Sequence, residues 1–155
     1  MRNVLLSLCL VLSACASQTP TWFLDADGDM VGTKFVLEGR LVSAQHVAGE
    51  GFTPIGVDTV DLGPATERGY ERRKTPLVVG DRVRLVLAEW PGVPREVPGV
   101  VVGTPSEGYQ AVFFSSPGFP GVSGSPILDE DGRCVGTFTA LNPREPRYTR
   151  IALLD

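Results

Sequence analysis

The chain has 155 residues, which is room for one domain or for two small halves that share a buried interface, and not for two independent folding units. Apolar residues make up 43% of it and charged residues 21%, so a packed core is expected and disorder is not. The formal net charge of −4 and the lack of a long Lys/Arg run argue against binding to phosphate backbones, so no nucleic-acid partner is predicted.

The first residues are typical of an export signal rather than of a folded element. Met1–Asn3 carries a positive charge, and Val4–Leu12 is a predominantly apolar run that is too short to span a bilayer. The run ends in Leu-Ser-Ala-Cys at Leu12–Cys15, which resembles the lipobox of bacterial lipoproteins. The resemblance implies a signal peptide over residues 1–15, a lipid anchor on Cys15, and a location at the periplasmic face or outer membrane of a bacterial envelope.

A cluster of carboxylates follows in Asp25–Asp29. Alternating carboxylates are typical of calcium loops, but an EF-hand would need glycine at position 30 and glutamate at position 36, where the chain has Met30 and Val36. We therefore expect an acidic β-turn here and propose no metal site.

Glycine and proline number 18 and 13, a composition typical of short strands joined by tight turns, so an all-β fold is expected. Thr33–Leu37 and Arg40–Ala44 are β-rich runs separated by Glu38–Gly39, a two-residue link typical of a hairpin, and they are predicted to pair. The other predicted strands have similar compositions and turn residues between them: Thr53–Val57, Arg82–Leu87, Val97–Val102, Tyr109–Phe114, Ser125–Leu128, Cys134–Ala140 and Tyr148–Leu153. The polar stretch between Pro64 and Pro76 is predicted to be a solvated connector between two halves.

His46 is the only histidine of the chain and follows the predicted hairpin, in Leu-Val-Ser-Ala-Gln-His-Val. A lone histidine is usually structural or merely exposed. Further along, Gly121–Pro126 reads Gly-Val-Ser-Gly-Ser-Pro, in which small residues flank Ser123 where a tight turn would expose its hydroxyl. The glycine at 121 lets the backbone N–H groups of Gly121 and Ser123 converge on one point, as an oxyanion requires. Taken alone, such a stretch is more often an ordinary turn.

Cys134 lies in one of the predicted strands. Removal of the signal takes Cys9 away and leaves Cys134 as the only thiol besides Cys15, so no intramolecular disulfide is expected. We expect Cys134 to be a small buried hydrophobic residue without a functional role.

Together these stretches resemble the trypsin-like (chymotrypsin-fold) serine proteases. The strand, small residues and His-Val pattern of that family is matched by Leu41–Val47, and its Gly-x-Ser-Gly-x-Pro pattern by Gly121–Pro126, in the same chain order. Gly32–Arg40 is similar to the strand and hairpin that lead to the family's histidine, and Leu128–Ala140 to the hairpin that follows its serine. The resemblance covers roughly residues 30–140.

The resemblance implies an all-β fold of two antiparallel barrels of the chymotrypsin type, six-stranded in the family and abbreviated here, with the site in the cleft between them. Within a domain of residues 16–155, the first barrel is expected at about 21–63, the connector at about 64–76 and the second barrel at about 77–155. The implied activity is hydrolysis of peptide or protein substrates through an acyl-enzyme, without a cofactor. Ser123 would be the nucleophile and His46 its base, with the N–H groups of Gly121 and Ser123 as the oxyanion hole.

The aspartate that would orient His46 is ambiguous. Asp61–Gly63 matches the family's pattern of Asp, aliphatic and small residue better than Asp58–Val60 does, so Asp61 is predicted as the third member of the triad and Asp58 is the alternative. Both aspartates are closer in sequence to His46 than is usual in the family, and Pro64 interrupts the strand expected next. This shortening is why the first barrel is expected to be abbreviated.

Three functions are compatible with the sequence. The first is an active envelope serine protease, which retention of both His46 and Ser123 favours. The second is an inactive trypsin-like fold used as a binding module, which the short first barrel favours. The third is an unrelated β-barrel lipoprotein with a coincidental serine motif.

Overall fold

The computed structural model describes residues 19–89, 91–92, 95–116, 122–140 and 148–155. The predicted signal peptide, the lipidation of Cys15 and the oxyanion-hole role of Gly121 therefore fall outside the described residues. None of the described helices is long and apolar enough to cross a membrane.

The first half of the chain is an antiparallel five-stranded sheet with the strand order β1-β2-β3-β5-β4. It contains β1 (Thr21–Leu24), β2 (Met30–Leu37), β3 (Arg40–Ala44), the one-turn helix α1 (Gln45–Ala48), β4 (Thr53–Pro54) and β5 (Thr59–Pro64).

The second half is a closed six-stranded antiparallel barrel with the order β10-β11-β8-β7-β6-β9. Its strands are β6 (Arg82–Val86), β7 (Glu96–Val101), β8 (Tyr109–Phe114), β9 (Pro126–Asp129), β10 (Cys134–Ala140) and β11 (Tyr148–Leu153). The all-β prediction is confirmed. The first half is expected from the sequence to be an abbreviated barrel, and it has five strands in one sheet where the family has six in a closed barrel.

The predicted hairpin forms as expected. Leu37 pairs with Arg40 across the turn, and the two linking residues have positive φ, 48° at Glu38 and 79° at Gly39. Two consecutive residues with positive φ are characteristic of the type I′ turn, whose twist matches that of the flanking strands. The turn thereby aligns β2 with β3 and directs the end of β3 into α1.

Two hydrophobic clusters stabilise the fold. The barrel interior holds the larger cluster, which includes Leu85, Val112, Ile127, Phe138 and Ile151. The second cluster joins the halves and is formed by Phe35, Leu37, Val42, Tyr70, Leu128 and Cys134. Because side chains alternate along a strand, β9 places Ile127 inside the barrel and Leu128 outside it, against the first sheet. The open sheet is thus covered by the outer face of the barrel, and the two halves share one buried interface.

The connector is exposed over much of its length, but it also contacts both halves of the molecule. Arg68 and Glu71 form an exposed ion pair. Tyr70, in contrast, is buried, and its backbone forms an isolated β-bridge with Leu37. The backbone of Arg72 forms a second β-bridge, with Cys134 in β10. The connector therefore follows the interface between the halves instead of looping away from it.

Cys134 is completely buried, as expected for a small hydrophobic residue. Burial raises the pKa of its thiol to about 12. Burial also raises the pKa of Tyr70 to about 12, and the neighbouring Cys134 acts in the same direction.

The acidic turn at Asp25–Asp29 also forms as predicted. Asp25 Oδ1 accepts hydrogen bonds from the backbone N–H groups of Asp27 and Asp29, both at 2.9 Å. One carboxylate therefore caps the turn that joins β1 to β2.

Candidate active site

His46 lies on α1, at the point where the first sheet meets the barrel. Ala44 ends β3 in an extended conformation, and the chain then makes a single helical turn. The backbone N–H of Gln45 donates to the carbonyl oxygen of Asp58 at 2.9 Å, which ties the start of α1 to the residue before β5. The His46 side chain is 47% exposed, so the imidazole is accessible from solvent.

Asp58 is the carboxylate that contacts His46. Its Oδ2 lies 2.6 Å from His46 Nδ1, and its Oδ1 accepts a hydrogen bond from the backbone N–H of His46 at 3.2 Å. The Asp58 side chain is 13% exposed, so this contact is largely shielded from water. A carboxylate bound to Nδ1 fixes the imidazole tautomer with Nδ1 protonated and leaves the Nε2 lone pair available to take a proton.

The prediction that Asp61 orients His46 is wrong. Asp61 Oδ2 instead accepts a hydrogen bond from Arg40 Nε at 2.8 Å, and its Oδ1 accepts one from the N–H of Gly63. The reason is strand register: Thr59 pairs with Ala44 at the end of β3, and Asp61 pairs further back along that strand. At about 3.4 Å per residue, the shift takes Asp61 away from α1 and leaves Asp58 opposite it.

Thr139 is a site residue that sequence reasoning missed. Its hydroxyl Oγ1 donates a hydrogen bond to Asp58 Oδ2, and its carbonyl oxygen accepts one from Ser123 Oγ at 3.5 Å. Thr139 is the extra residue in an irregularity of the β10–β11 pairing, between Phe138 and Ala140. Such bulges redirect side chains and are frequent beside active sites. No signal in the sequence around Thr139 predicts the bulge.

Ser123 lies in a tight turn held against both halves. Its carbonyl oxygen accepts a hydrogen bond from the N–H of Thr33 in β2 at 2.8 Å, and the next residue, Gly124, donates to the carbonyl oxygen of Phe138 at 2.9 Å. The Ser123 side chain is half-buried. Of the described groups, Thr139 O and not His46 is the hydrogen-bond partner of Ser123 Oγ.

Gly124 is required by the geometry of this turn. Its φ is +92°, and a Cβ at this position would lie 2.2 Å from the carbonyl oxygen of Thr33 and 2.7 Å from Ser43 Oγ. Both contacts are far shorter than van der Waals separation, so only glycine fits. The glycine that directly follows Ser123 therefore reflects close packing of the turn against β2 and β3.

The structure thus brings Ser123, His46 and Asp58 to one junction, linked through Thr139, and leaves Asp61 outside it. No metal-binding group of three or more His, Cys, Asp or Glu side chains occurs among the described residues.

No protein-family model matches the chain, and no curated protein does. Solved structures do match. A protease from M. tuberculosis, Rv3671c in its active form, superposes with a TM-score of 0.65 at 15% identity, over 90% of this chain and 78% of that one. A serine endoprotease from Yersinia pestis superposes with a TM-score of 0.67 at 12% identity, over 90% of this chain and 61% of that one. The HtrA-type protease AlgW with a decapeptide gives a TM-score of 0.60 at 15% identity, over 81% of this chain and 48% of that one.

The chain has a chymotrypsin-like fold. The likeness to these serine proteases extends over both halves, because 90% of the chain is covered in two of the three comparisons. The fold is therefore not the unrelated β-barrel that the third possibility assumed.

Proposed function

We propose that this chymotrypsin-like chain is a serine endopeptidase that hydrolyses peptide bonds through Ser123, His46 and Asp58. The observation that carries the proposal is the 2.6 Å contact between His46 Nδ1 and Asp58 Oδ2, at the junction where Ser123 also lies. The structural neighbours are serine proteases, and one of them is described with a decapeptide, which supports a peptide as substrate.

The proposed reaction begins with proton transfer. His46 Nε2 takes the proton of Ser123 Oγ as the oxygen attacks the scissile carbonyl carbon, and the resulting imidazolium is stabilised by Asp58. His46 then donates that proton to the leaving amine, which leaves an acyl group on Ser123 Oγ. A water molecule, deprotonated by His46 in turn, hydrolyses the acyl-enzyme and restores the serine. No cofactor enters this scheme.

For attack, Ser123 Oγ exchanges its contact with Thr139 O for one with His46 Nε2. The Thr139 contact is 3.5 Å long, at the outer limit for a hydrogen bond, so little is lost when it breaks. Rotation between staggered side-chain rotamers moves a serine oxygen without backbone motion. Catalytic hydrogen bonds are often long in the absence of substrate and tighten when substrate binds.

The N–H groups of Gly121 and Ser123 complete the proposed site as the oxyanion hole. Loss of one such donor typically costs about 10²–10³ in turnover. This assignment follows from the Gly-Val-Ser sequence and the family resemblance.

We propose further that the endopeptidase is tethered to the bacterial envelope through Cys15. The support is in the sequence alone: a positive start, an apolar run and the Leu-Ser-Ala-Cys motif at Leu12–Cys15. A tethered enzyme would act on proteins that reach the same membrane surface.

The alternative is a catalytically inactive fold that binds a partner. Two observations favour it: Ser123 Oγ contacts Thr139 rather than His46, and the first half is an open sheet of five strands. The two functions differ in whether Ser123 reacts as a nucleophile.

Labelling with a fluorophosphonate, a serine-directed probe, tests the proposal directly. The purified protein should be labelled, and mass mapping should place the modification on Ser123. Ser125→Ala is the matched control, because Ser125 is a fully buried serine two residues away, and it should keep the label. Absence of label on folded protein, or label that persists in Ser123→Ala, would overturn the assignment of Ser123 as the nucleophile and leave the binding module as the favoured alternative.

A further inference from the structure

Beside the candidate triad, a pair of buried threonine hydroxyls joins the two halves of the molecule. Thr59 Oγ1 of β5 and Thr137 Oγ1 of β10 lie 2.8 Å apart, and both residues are completely buried. One hydroxyl donates to the other, so each has a hydrogen-bond partner across the interface. The proposed mechanism uses neither group.

The position of this pair relative to the site is specific. Thr59 directly follows Asp58, and Thr137 precedes Thr139 by two residues on the same strand. Two neighbouring residues of the first half, Asp58 and Thr59, thus contact two alternate residues of β10, Thr139 and Thr137. The start of β5 is therefore held to the barrel by side-chain hydrogen bonds at two consecutive residues, Asp58 and Thr59.

Thr59 is also fixed within its own sheet. Its carbonyl oxygen accepts a hydrogen bond from the N–H of Ile55 at 2.9 Å. In the pairing of β5 with β3, Thr59 lies opposite Ala44, the residue before α1. Movement of Thr59 relative to β10 would therefore shift Asp58 and the start of α1 together. The carboxylate would then change its distance to Thr139, which belongs to the other half.

We propose that the Thr59–Thr137 hydroxyl pair positions Asp58, by fixing the start of β5 against β10 so that the carboxylate meets both His46 Nδ1 and Thr139 Oγ1. This inference rests on the proposed role of Asp58 in a serine peptidase. Thr59 and Thr137 are positioning residues, since they act only through Asp58.

The pair has a distinctive energetic signature. Removing one hydroxyl leaves the other buried without its partner, which destabilises the folded state, whereas removing both leaves no orphaned group. Thr59→Val and Thr137→Val should therefore each be less stable than the double variant. Their effects on the site should be strongly non-additive, because both act through the same contact.

Proton exchange at the single imidazole tests the proposal without requiring activity. His46 is the only histidine, so its Nδ1–H should give one NMR signal, and the contact with Asp58 should slow the exchange of this proton with water. In Thr59→Val and in Thr137→Val this proton should exchange roughly 10-fold faster, as expected when the contact opens more often. Thr59→Ser keeps a hydroxyl and should restore slow exchange.

Thr149→Val is the matched control, since Thr149 is a buried threonine on β11 in the barrel. It should leave the exchange of the His46 proton unchanged. Should a single variant fail to fold, the double variant, with no orphaned hydroxyl, should fold and still show fast exchange. Unchanged exchange in any folded variant that lacks the pair would overturn the proposal.

Fluorophosphonate labelling of the same variants separates this inference from the proposed function. The rate constant at saturating probe should fall about 10-fold in Thr59→Val, with the half-saturating probe concentration unchanged, because positioning and not probe binding is affected. If wild-type protein is not labelled but exchange responds as expected, the peptidase proposal fails and the positioning role stands. If wild-type protein is labelled and neither readout responds, the positioning role fails.

Discussion

Asp58 and Thr139 come from opposite halves of the molecule and share one hydrogen bond, from Thr139 Oγ1 to Asp58 Oδ2. The same carboxylate oxygen contacts His46 Nδ1, and the carbonyl oxygen of Thr139 contacts Ser123. One threonine of the barrel is therefore in contact with two of the three groups proposed for catalysis. The relative position of the two halves sets the geometry of the site.

Asp58→Asn should lower turnover by about 10⁴, because an amide at this position no longer holds His46 with Nδ1 protonated. Asp61→Asn is the matched control: it should leave turnover within about twofold, since this carboxylate pairs with the half-exposed Arg40 and not with His46. Steady-state hydrolysis of a peptide or activated ester measures both. If Asp61→Asn lowered turnover strongly and Asp58→Asn left it unchanged, the assignment of Asp58 as the partner of His46 would be wrong.

Ser123 and His46 should behave as one unit. A serine hydroxyl is a poor nucleophile without its base, so Ser123→Ala, His46→Ala and the double variant should each lose nearly the whole nucleophilic contribution, about 10⁶ in turnover. The kinetic comparison of the three variants decides the point. Losses in the single variants that multiply in the double variant would show that the two residues act independently.

Gly124→Ala should abolish fluorophosphonate labelling and lower the melting temperature, because its Cβ would collide with the Thr33 carbonyl oxygen and Ser43 Oγ. Gly39→Ala controls for the cost of a positive φ alone, since Gly39 has φ +79° and no atom within 4 Å of an added Cβ. It should be somewhat destabilised and still labelled. Equal labelling of the two variants would argue that the packing of Gly124 does not shape the serine turn.

Stability should fall at alkaline pH as Cys134 and Tyr70 ionise in the unfolded chain. Burial raises both pKa values to about 12, from ordinary values of 9.0 for the thiol and 10.0 for the phenol. Because the folded state disfavours the ionised forms, stability is complete below pH 9 and is lost as the pH rises toward 12, by at most about 1.4 kcal/mol per pH unit for each group.

Denaturant titrations of the free energy of unfolding at pH 8–11 test this dependence. In Cys134→Ala most of the loss between pH 9 and 10 should disappear, since the thiol has the lower ordinary pKa of the two groups and contributes more than the phenol in that window. Tyr70→Phe should instead remove part of the loss above pH 10. A Cys134→Ala profile as steep as that of the wild type below pH 10 would show that other groups control alkaline stability.

Cys15→Ser should abolish metabolic labelling with a fatty acid and block maturation of the exported chain, because lipid attachment requires the thiol. Cys134→Ser is the control and should keep the label, since Cys134 is buried in the folded domain. Lipid labelling that is unchanged in Cys15→Ser would rule out the anchor.

The sequence by itself predicted the fold class, the hairpin turn, and the two stretches that carry His46 and Ser123. These are local properties: turn residues, strand composition and small residues around one serine depend on neighbours along the chain. Strand prediction succeeded for Tyr109–Phe114 and Tyr148–Leu153, and it missed β1 and β5.

The tertiary structure alone decided which aspartate faces His46 and which residue links it to Ser123. Asp58 and Asp61 are separated by three positions, and the register of β5 on β3 places one opposite α1 and the other beside Arg40. Thr139 enters the site only because the barrel packs against the first sheet with a bulge at that residue. Register and inter-sheet packing depend on contacts between residues far apart in sequence, so a local motif cannot specify them.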